Sequence, residues 1–269
     1  MIAWVSGIYD DPQLYQIACA YRDVPSEVDA LLAWAATHWP VTGGGPSAVL
    51  ELAAGPADHA LELARRGLRS MALDINPVMC AWASERATRA GLALEVVEAD
   101  MRDFKLTGSP DKVDLAITML NSACHLFTLD DMVDHLGAVA ASLVPGGLYI
   151  IELAHPADYL TQAARTSNEW TIEQDGLVAD VRWGGPLDAI DPVTQVTREH
   201  VNITVRYPDG TIRTVADVVP NRFWTATELT AAIRLAGGFT IAASYGDFDE
   251  TTTVDAPEAW RLILVLRRD

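Results

Sequence analysis

The sequence predicts an α/β protein: a mostly parallel sheet covered by helices, interrupted late in the chain by an antiparallel β insertion. Three observations carry this. Apolar strands alternate with amphipathic helices from Ser47 to Ala154, and that rhythm implies parallel neighbours joined by helical crossovers. The rhythm breaks after Pro156, and from Trp170 to Val219 the residues favour strands alone. It then resumes with a helix and two closing strands.

In chain order, residues 12–38 read as helical, with Pro25 opening a second helix before EVDALLAWAATHW. PVTGGGPS has the composition of a linker. SAVLEL is a strand, and ADHALELARRG is a helix closed by Gly67. SMALDI is a strand. PVMCAWASERATRAG is a helix with Pro77 near its start and Gly91 at its end. ALEVVEAD and KVDLAITML are strands, LDDMVDHLGAVAASL a helix and GLYIIELA a strand. In the insertion VADVRWG, VTQVTREHVNITVRY and TIRTVADVV read as strands, with YPDG as the hairpin turn between the last two. TATELTAAIRLAGG is a helix capped by Thr225 or Thr227, followed by the strands FTIAASYG and EAWRLILVLRR. The expected organisation is an N-terminal helical cap over 1–40, a main domain from 41–155 and 221–269, and the insertion over 156–220, either a lid on an acceptor pocket or the contact of a homodimer.

Composition narrows the function. The chain has 269 residues, half of them hydrophobic, with 19 Lys+Arg against 37 Asp+Glu and a formal net charge of −18. Such a field repels phosphate backbones, so no nucleic-acid partner is expected. Cys19, Cys80 and Cys124 are scattered without CxxC spacing, which points to reduced thiols in a cytoplasmic protein. The start lacks a basic segment followed by an apolar run, and no stretch reaches the roughly 18 apolar residues of a membrane span. No paired-histidine metal motif is present, so no metal is expected.

The stretch AVLELAAGPADHALELARRG carries the functional signal. Glu51 ends its strand, and the following turn has one glycine, Gly55, flanked by Ala53, Pro56 and Ala57. A dinucleotide loop uses several glycines to bring amides against a pyrophosphate. A carboxylate beside this turn repels a diphosphate but attracts an ammonium group. The matching ligand is a nucleoside with a cationic tail and no phosphate, which S-adenosylmethionine fits; a tight turn without a ligand is the competing reading. Asp74, followed by Ile75, ends the second strand, where an acid accepts from two ribose hydroxyls. Asp100 ends the third, placed to accept from an adenine amino group while Met101 packs on the ring.

With VLELAAGPADHALELARRG, ALDINPVM, EADMRDF, DLAITMLNSACHL and LVPGGLYIIEL, the chain resembles the class I S-adenosylmethionine-dependent methyltransferases of small molecules. The resemblance covers about residues 45–155, and again 221–267 through RFWTATELTAAIRLAGGFTIAASYGDF. It departs from the family's glycine-rich turn at Ala53, Pro56 and Ala57. It implies a Rossmann-like sheet whose last strand is antiparallel, and a methyl group passed to an oxygen or nitrogen of a small-molecule acceptor, leaving S-adenosylhomocysteine. It also implies that LYQIACAYRD caps the cofactor through Tyr15, Tyr21 and Arg22, with Arg22 pairing the methionine carboxylate, and that Met119, Leu120 and Asn121 line the cofactor side. It places His125 near the methyl group, as a catalytic or acceptor-binding residue; a buried structural histidine is the alternative. Arg222, Trp224, Tyr245 and Asp247 are expected on the acceptor wall from their position, and Trp170 and Trp183 as pocket wall, subunit contact or core. LNSA is not the (N/D)PP(Y/F) element of base-amine methyltransferases. A nicotinamide oxidoreductase and a non-catalytic cofactor-binding protein are the rival functions.

Overall fold

The structure, a computed structural model, describes residues 7–39, 45–107, 112–160, 167–185 and 187–269. Most of the expected linker PVTGGGPS lies outside these residues.

A 3-10 turn at Ile8–Asp10 leads into α1 (Pro12–Ala18), capped by the Asp11 carboxylate accepting from the Leu14 amide. Asp23 caps α2 (Val24–His38) in the same way. Then come β1 (Ala48–Leu52), α3 (Asp58–Arg65), β2 (Arg69–Asp74), α4 (Pro77–Ala90) and β3 (Leu94–Glu98). Asn76 caps α4, Pro77 opens it where no amide is needed, and Gly91 closes it at φ 65°. β4 (Val113–Thr118) is followed by a 3-10 turn at Ser122–His125, α5 (Leu129–Ser142) and β5 (Leu143–Ala154). After α6 (Ala157–Leu160) come β6 (Glu169–Gln174), β7 (Leu177–Trp183), β8 (Val196–Arg206) and β9 (Ile212–Arg222). The chain closes with α7 (Ala226–Ala236), capped by Thr225, then β10 (Phe239–Tyr245) and β11 (Arg261–Arg268).

Seven strands form one sheet in the order β10-β11-β5-β4-β1-β2-β3. β11 runs antiparallel to both neighbours, and the other pairings are parallel. β1 is buried along its whole length, as a strand covered on both faces must be. One face carries Leu50, Leu52, Tyr149 and Trp224 under α5 and α7; the other carries Val49, Leu115 and Ile150 under α2 and α3. The β1–β4 junction marks the reversal of strand order, where α/β sheets open a crevice at their carboxyl ends.

The second sheet, β6-β7-β8-β9, is antiparallel throughout. It is a separate sheet rather than an extension of the first. Its apolar face, with Ala179, Val181, Val201 and Ile203, closes on Ile8, Leu14 and Ala18. The N-terminal helices therefore part company. α1 joins the second sheet, whereas Val28, Leu31 and Trp34 of α2 pack on the main sheet. The break at Cys19–Asp23 lets the two apolar stripes face different partners.

Candidate active site

A cavity of about 1520 Å³ opens between the carboxyl ends of β1, β2, β3 and β4 and the second sheet. Single-ligand sites occupy roughly 300–1,000 Å³, so this one has room for two molecules.

The β1–α3 turn forms one wall. Ala53, Gly55 and Ala57 all adopt left-handed conformations, with φ of 49°, 51° and 60°. The turn thus keeps a glycine backbone with alanines in it. Each alanine carries a cost of order 1–3 kcal/mol that the surrounding bonds must hold down; the Ala54 amide donates to the Leu73 carbonyl and the Ala57 amide to that of Ala54. At Gly55 the positive φ, not crowding, favours glycine, since a Cβ there meets nothing closer than 3.9 Å.

Asp74 accepts from the Gly55 amide at 2.6 Å and, through its other oxygen, from the Asn76 amide at 2.8 Å. Burial raises its pKa above the ordinary carboxylate value. A carboxylate offers about four acceptor sites, so two amides leave capacity for a pair of hydroxyls. Ile75, half exposed, and Met101 supply apolar surface on the same wall.

Asp100 also lines the cavity, but the Arg102 guanidinium grips both its oxygens at 2.6–3.1 Å and holds its carboxyl below the usual range. Arg102 in turn donates to Asp131 at 2.8 Å. The expected free acceptor for an adenine amino group is therefore already engaged.

Two further expectations change. Glu51 does not line the cavity. Its oxygens take the Ala60 amide, at 2.7 Å in the first turn of α3, and His59 Nδ1 at 3.1 Å. The helix N-terminus and an imidazole claim the carboxylate before a ligand can. His59 Nε2 meets Glu27 at 2.9 Å. Burial opposes its charge, but bonds to carboxylates at both ring nitrogens outweigh that and raise its pKa to about 9. Arg22 likewise points away from the cavity, into Glu27 at 2.5 Å and Glu152 at 3.3 Å. These groups and Arg261 form a buried set of three acids and three bases. Only Glu152 and Arg261 of the six reach the cavity.

At the end of β4, Met119 is core rather than wall. Leu120 and Asn121 do line the cavity, both left-handed at φ 53° and 59°. Glu152 accepts the Leu120 amide at 2.8 Å, and the Asn121 side chain accepts the Ala154 amide at 3.1 Å, which pins this turn to β5.

His125 follows on the cavity wall. Its Nε2 lies 3.1 Å from Tyr9 Oη, and a ring N–H donates to the Pro220 carbonyl. Burial lowers its pKa to about 4, so the ring is neutral at pH 7. The Tyr9 hydroxyl is thus the hydrogen-bond partner of Nε2 on a ring that lines the cavity.

The roof is aromatic. Tyr15 stands edge-on to Trp183, and Tyr21 edge-on to Trp170, whose indole donates to the Ala18 carbonyl at 2.8 Å. All four line the cavity. The acceptor wall expected from the C-terminal side differs. Trp224 is core, Arg222 stacks on it and pairs with Glu228, Tyr245 stacks on Trp34, and Asp247 bonds Trp260 and Arg261. Trp260 and Arg261 line the cavity instead. Tyr9, Glu152, Tyr159, Glu199 and Asn221 are lining residues the sequence reading missed. The last three follow the break in the α/β rhythm, where no strand-end rule marks a position.

Residues 49–147 match the family model described as a methyltransferase domain. No curated protein is a significant match. Several solved structures share the whole fold. An S-adenosylmethionine-dependent methyltransferase from Clostridium acetobutylicum superposes with a TM-score of 0.74 at 14% identity, over 94% of this chain and 95% of that one. CalS10, an amino pentose methyltransferase from Micromonospora echinaspora solved with S-adenosylmethionine bound, gives 0.71 at 20% identity over 96% and 97%. The sugar N-methyltransferase KedS8 from Streptoalloteichus gives 0.70 at 20% identity over 100% and 96%.

Proposed function

The chain carries a methyltransferase domain in the class I methyltransferase fold, and from that premise we propose that it moves the methyl group of S-adenosylmethionine to a nitrogen or oxygen of a small molecule. The observation that carries this reading is the continuity of one cavity, from the Asp74 carboxylate to the aromatic roof of the second sheet. One end suits a nucleoside, and the rest leaves room for a second, compact molecule. Solved relatives with similar folds include an amino pentose methyltransferase and a sugar N-methyltransferase, which favours a small acceptor.

Asp74 receives the ribose hydroxyls, and Met101 and Ile75 receive the adenine faces. Ala53 and Gly55 give a floor whose Gly55 amide is already spent on Asp74 and not free for a phosphate. Tyr15 and Tyr21, the roof's own residues, close over the cofactor opposite Leu120 and Asn121. Glu152 and Arg261, paired with each other, are the members of the buried charge set that reach the cavity and so the charges a zwitterionic tail would meet there. The cofactor itself supplies a reactive sulfonium-bound methyl, so the protein's task is to align the acceptor in line with it and exclude water. The second sheet with α1 acts as the lid that does so. A cytoplasmic setting accords with the three free cysteines.

The test is transfer of labelled methyl from S-adenosylmethionine to a panel of small amines and alcohols by the full chain. Label in a small molecule is expected. Label only in protein or nucleic acid, or absence of cofactor binding, contradicts the reading.

A further inference from the structure

Glu199 on β8 is a half-buried carboxylate on the lid side of the cavity, served only by neutral donors. The Asn221 amide donates to one oxygen, the Tyr159 hydroxyl to the other at 3.4 Å, and Trp183 also bonds it. Among the described residues no Lys, Arg or His nitrogen lies within ion-pairing distance of it, whereas Asp100, Glu51 and Glu152 all have such partners. A carboxylate moved out of water and left without a cation is costly unless something compensates it. The site is also tied to the reaction centre. Asn221, which holds Glu199, accepts from the Cys124 thiol at 2.9 Å, and Cys124 immediately precedes His125. His125 is anchored in turn to Pro220, beside Asn221. Glu199 therefore faces the same chamber as the Tyr9–His125 pair.

We propose that Glu199 is the receptor for the acceptor's charge: the acceptor is a small amine that enters as an ammonium ion, and Glu199 both binds it and takes its proton. This rests on the methyl-transfer reading of the cavity. An ammonium nitrogen has no lone pair with which to attack. One proton passes to the Glu199 carboxylate, leaving a neutral amine and a carboxylic acid. The amine lone pair then forms the new nitrogen–carbon bond, the methyl–sulfur bond breaks with its electron pair on sulfur, and Glu199 releases its proton to water. Burial raises the carboxyl of Glu199 above its usual value, the direction a proton acceptor needs. The titratable groups that act on it are Asp188 from the loop after β7, Tyr159 from α6, Cys124 from the 3-10 turn and Tyr9 from the N-terminal turn, with Asp217 of β9 on the same wall. None of these carries a positive charge; Arg198, next along β8, also lines the cavity but makes no ion pair with Glu199. His125 is neutral, and together with Tyr9 it orients the amine rather than competing for the ammonium.

The test is calorimetry on the full chain saturated with S-adenosylhomocysteine, using matched probes: glucosamine against glucose, and cyclohexylamine against cyclohexanol. The wild type is expected to bind the amines and not the alcohols. Glu199→Gln is expected to weaken amine binding by about ten- to a hundredfold, the value of a charge-assisted bond, with S-adenosylhomocysteine affinity unchanged and no loss of melting temperature. Alcohols binding as well as amines, neither binding, or Glu199→Gln leaving amine affinity intact each overturn the proposal. The wild-type comparison needs no variant, so the proposal is exposed even if Glu199→Gln folds poorly. If S-adenosylhomocysteine itself fails to bind, the methyl-transfer reading falls; if it binds and the amine preference is missing, only the role of Glu199 falls.

Discussion

Asp74 ties the β1–α3 turn to the start of α4, one oxygen on the Gly55 amide and the other on the Asn76 amide. Removing it should cost cofactor binding far more than folding. Asp74→Ala is expected to weaken S-adenosylhomocysteine by roughly 1.5–3 kcal/mol, about ten- to a hundredfold, as read by calorimetry. Ala53, at φ 49°, makes the opposite kind of test. Glycine there relieves a left-handed strain but adds freedom to the unfolded chain, so Ala53→Gly should raise stability by no more than about 1–2 kcal/mol in denaturant titration. For His125, an unperturbed imidazole would show a break in rate near about pH 6.5. Burial moves its pKa to about 4, so the ring stays neutral across the working range and that break should be missing at saturating substrates. A break near pH 6.5 that disappears in His125→Ala would show the ring to be solvated and titrating. The strand-end acids were legible because the α/β rhythm fixes where strands end. Their partners were not: nothing in the spacing of Glu51 says that His59 and the Ala60 amide will take it, nor that Arg102 will clamp Asp100. Side-chain pairing is decided by three-dimensional neighbours that periodicity does not encode.

The elements divide the same way. The parallel strands and their helices could be read in order because openers such as Pro77 and Thr225, and closers such as Gly91, mark their ends. The place of the insertion could not, since alternation in β7 and β8 shows that one face is buried without saying against what. The answer lies in α1: Leu14 and Ala18 supply the apolar stripe that β6–β9 cover. Leu14 is 1% exposed, and Leu14→Ala should cost about 2–5 kcal/mol locally. Hydrogen exchange is expected to quicken in α1 and β6–β9 while β1, β2 and β4 stay protected. Equal acceleration in both sheets would mean that lid and main sheet unfold as one unit.

Across the whole molecule, charge is the organising quantity. The surface is strongly acidic, yet under the cavity Glu27, Glu51 and Glu152 balance Arg22, Arg261 and protonated His59. His59 titrates at about 9 in the folded chain and near 6.5 when unfolded, so its contribution to stability is complete below pH 6.5 and lost as pH rises through 9. Thermal unfolding followed across that window should show a falling melting temperature in the wild type and a flatter profile in His59→Gln. The set lies beneath the end of the cavity assigned to the cofactor's charged tail. Whether that cavity takes S-adenosylmethionine is decided by calorimetric titration of the full chain with S-adenosylhomocysteine and, separately, with NAD. One saturable S-adenosylhomocysteine site per chain with no heat from NAD is the predicted result; binding of NAD in preference, or of neither, would contradict it.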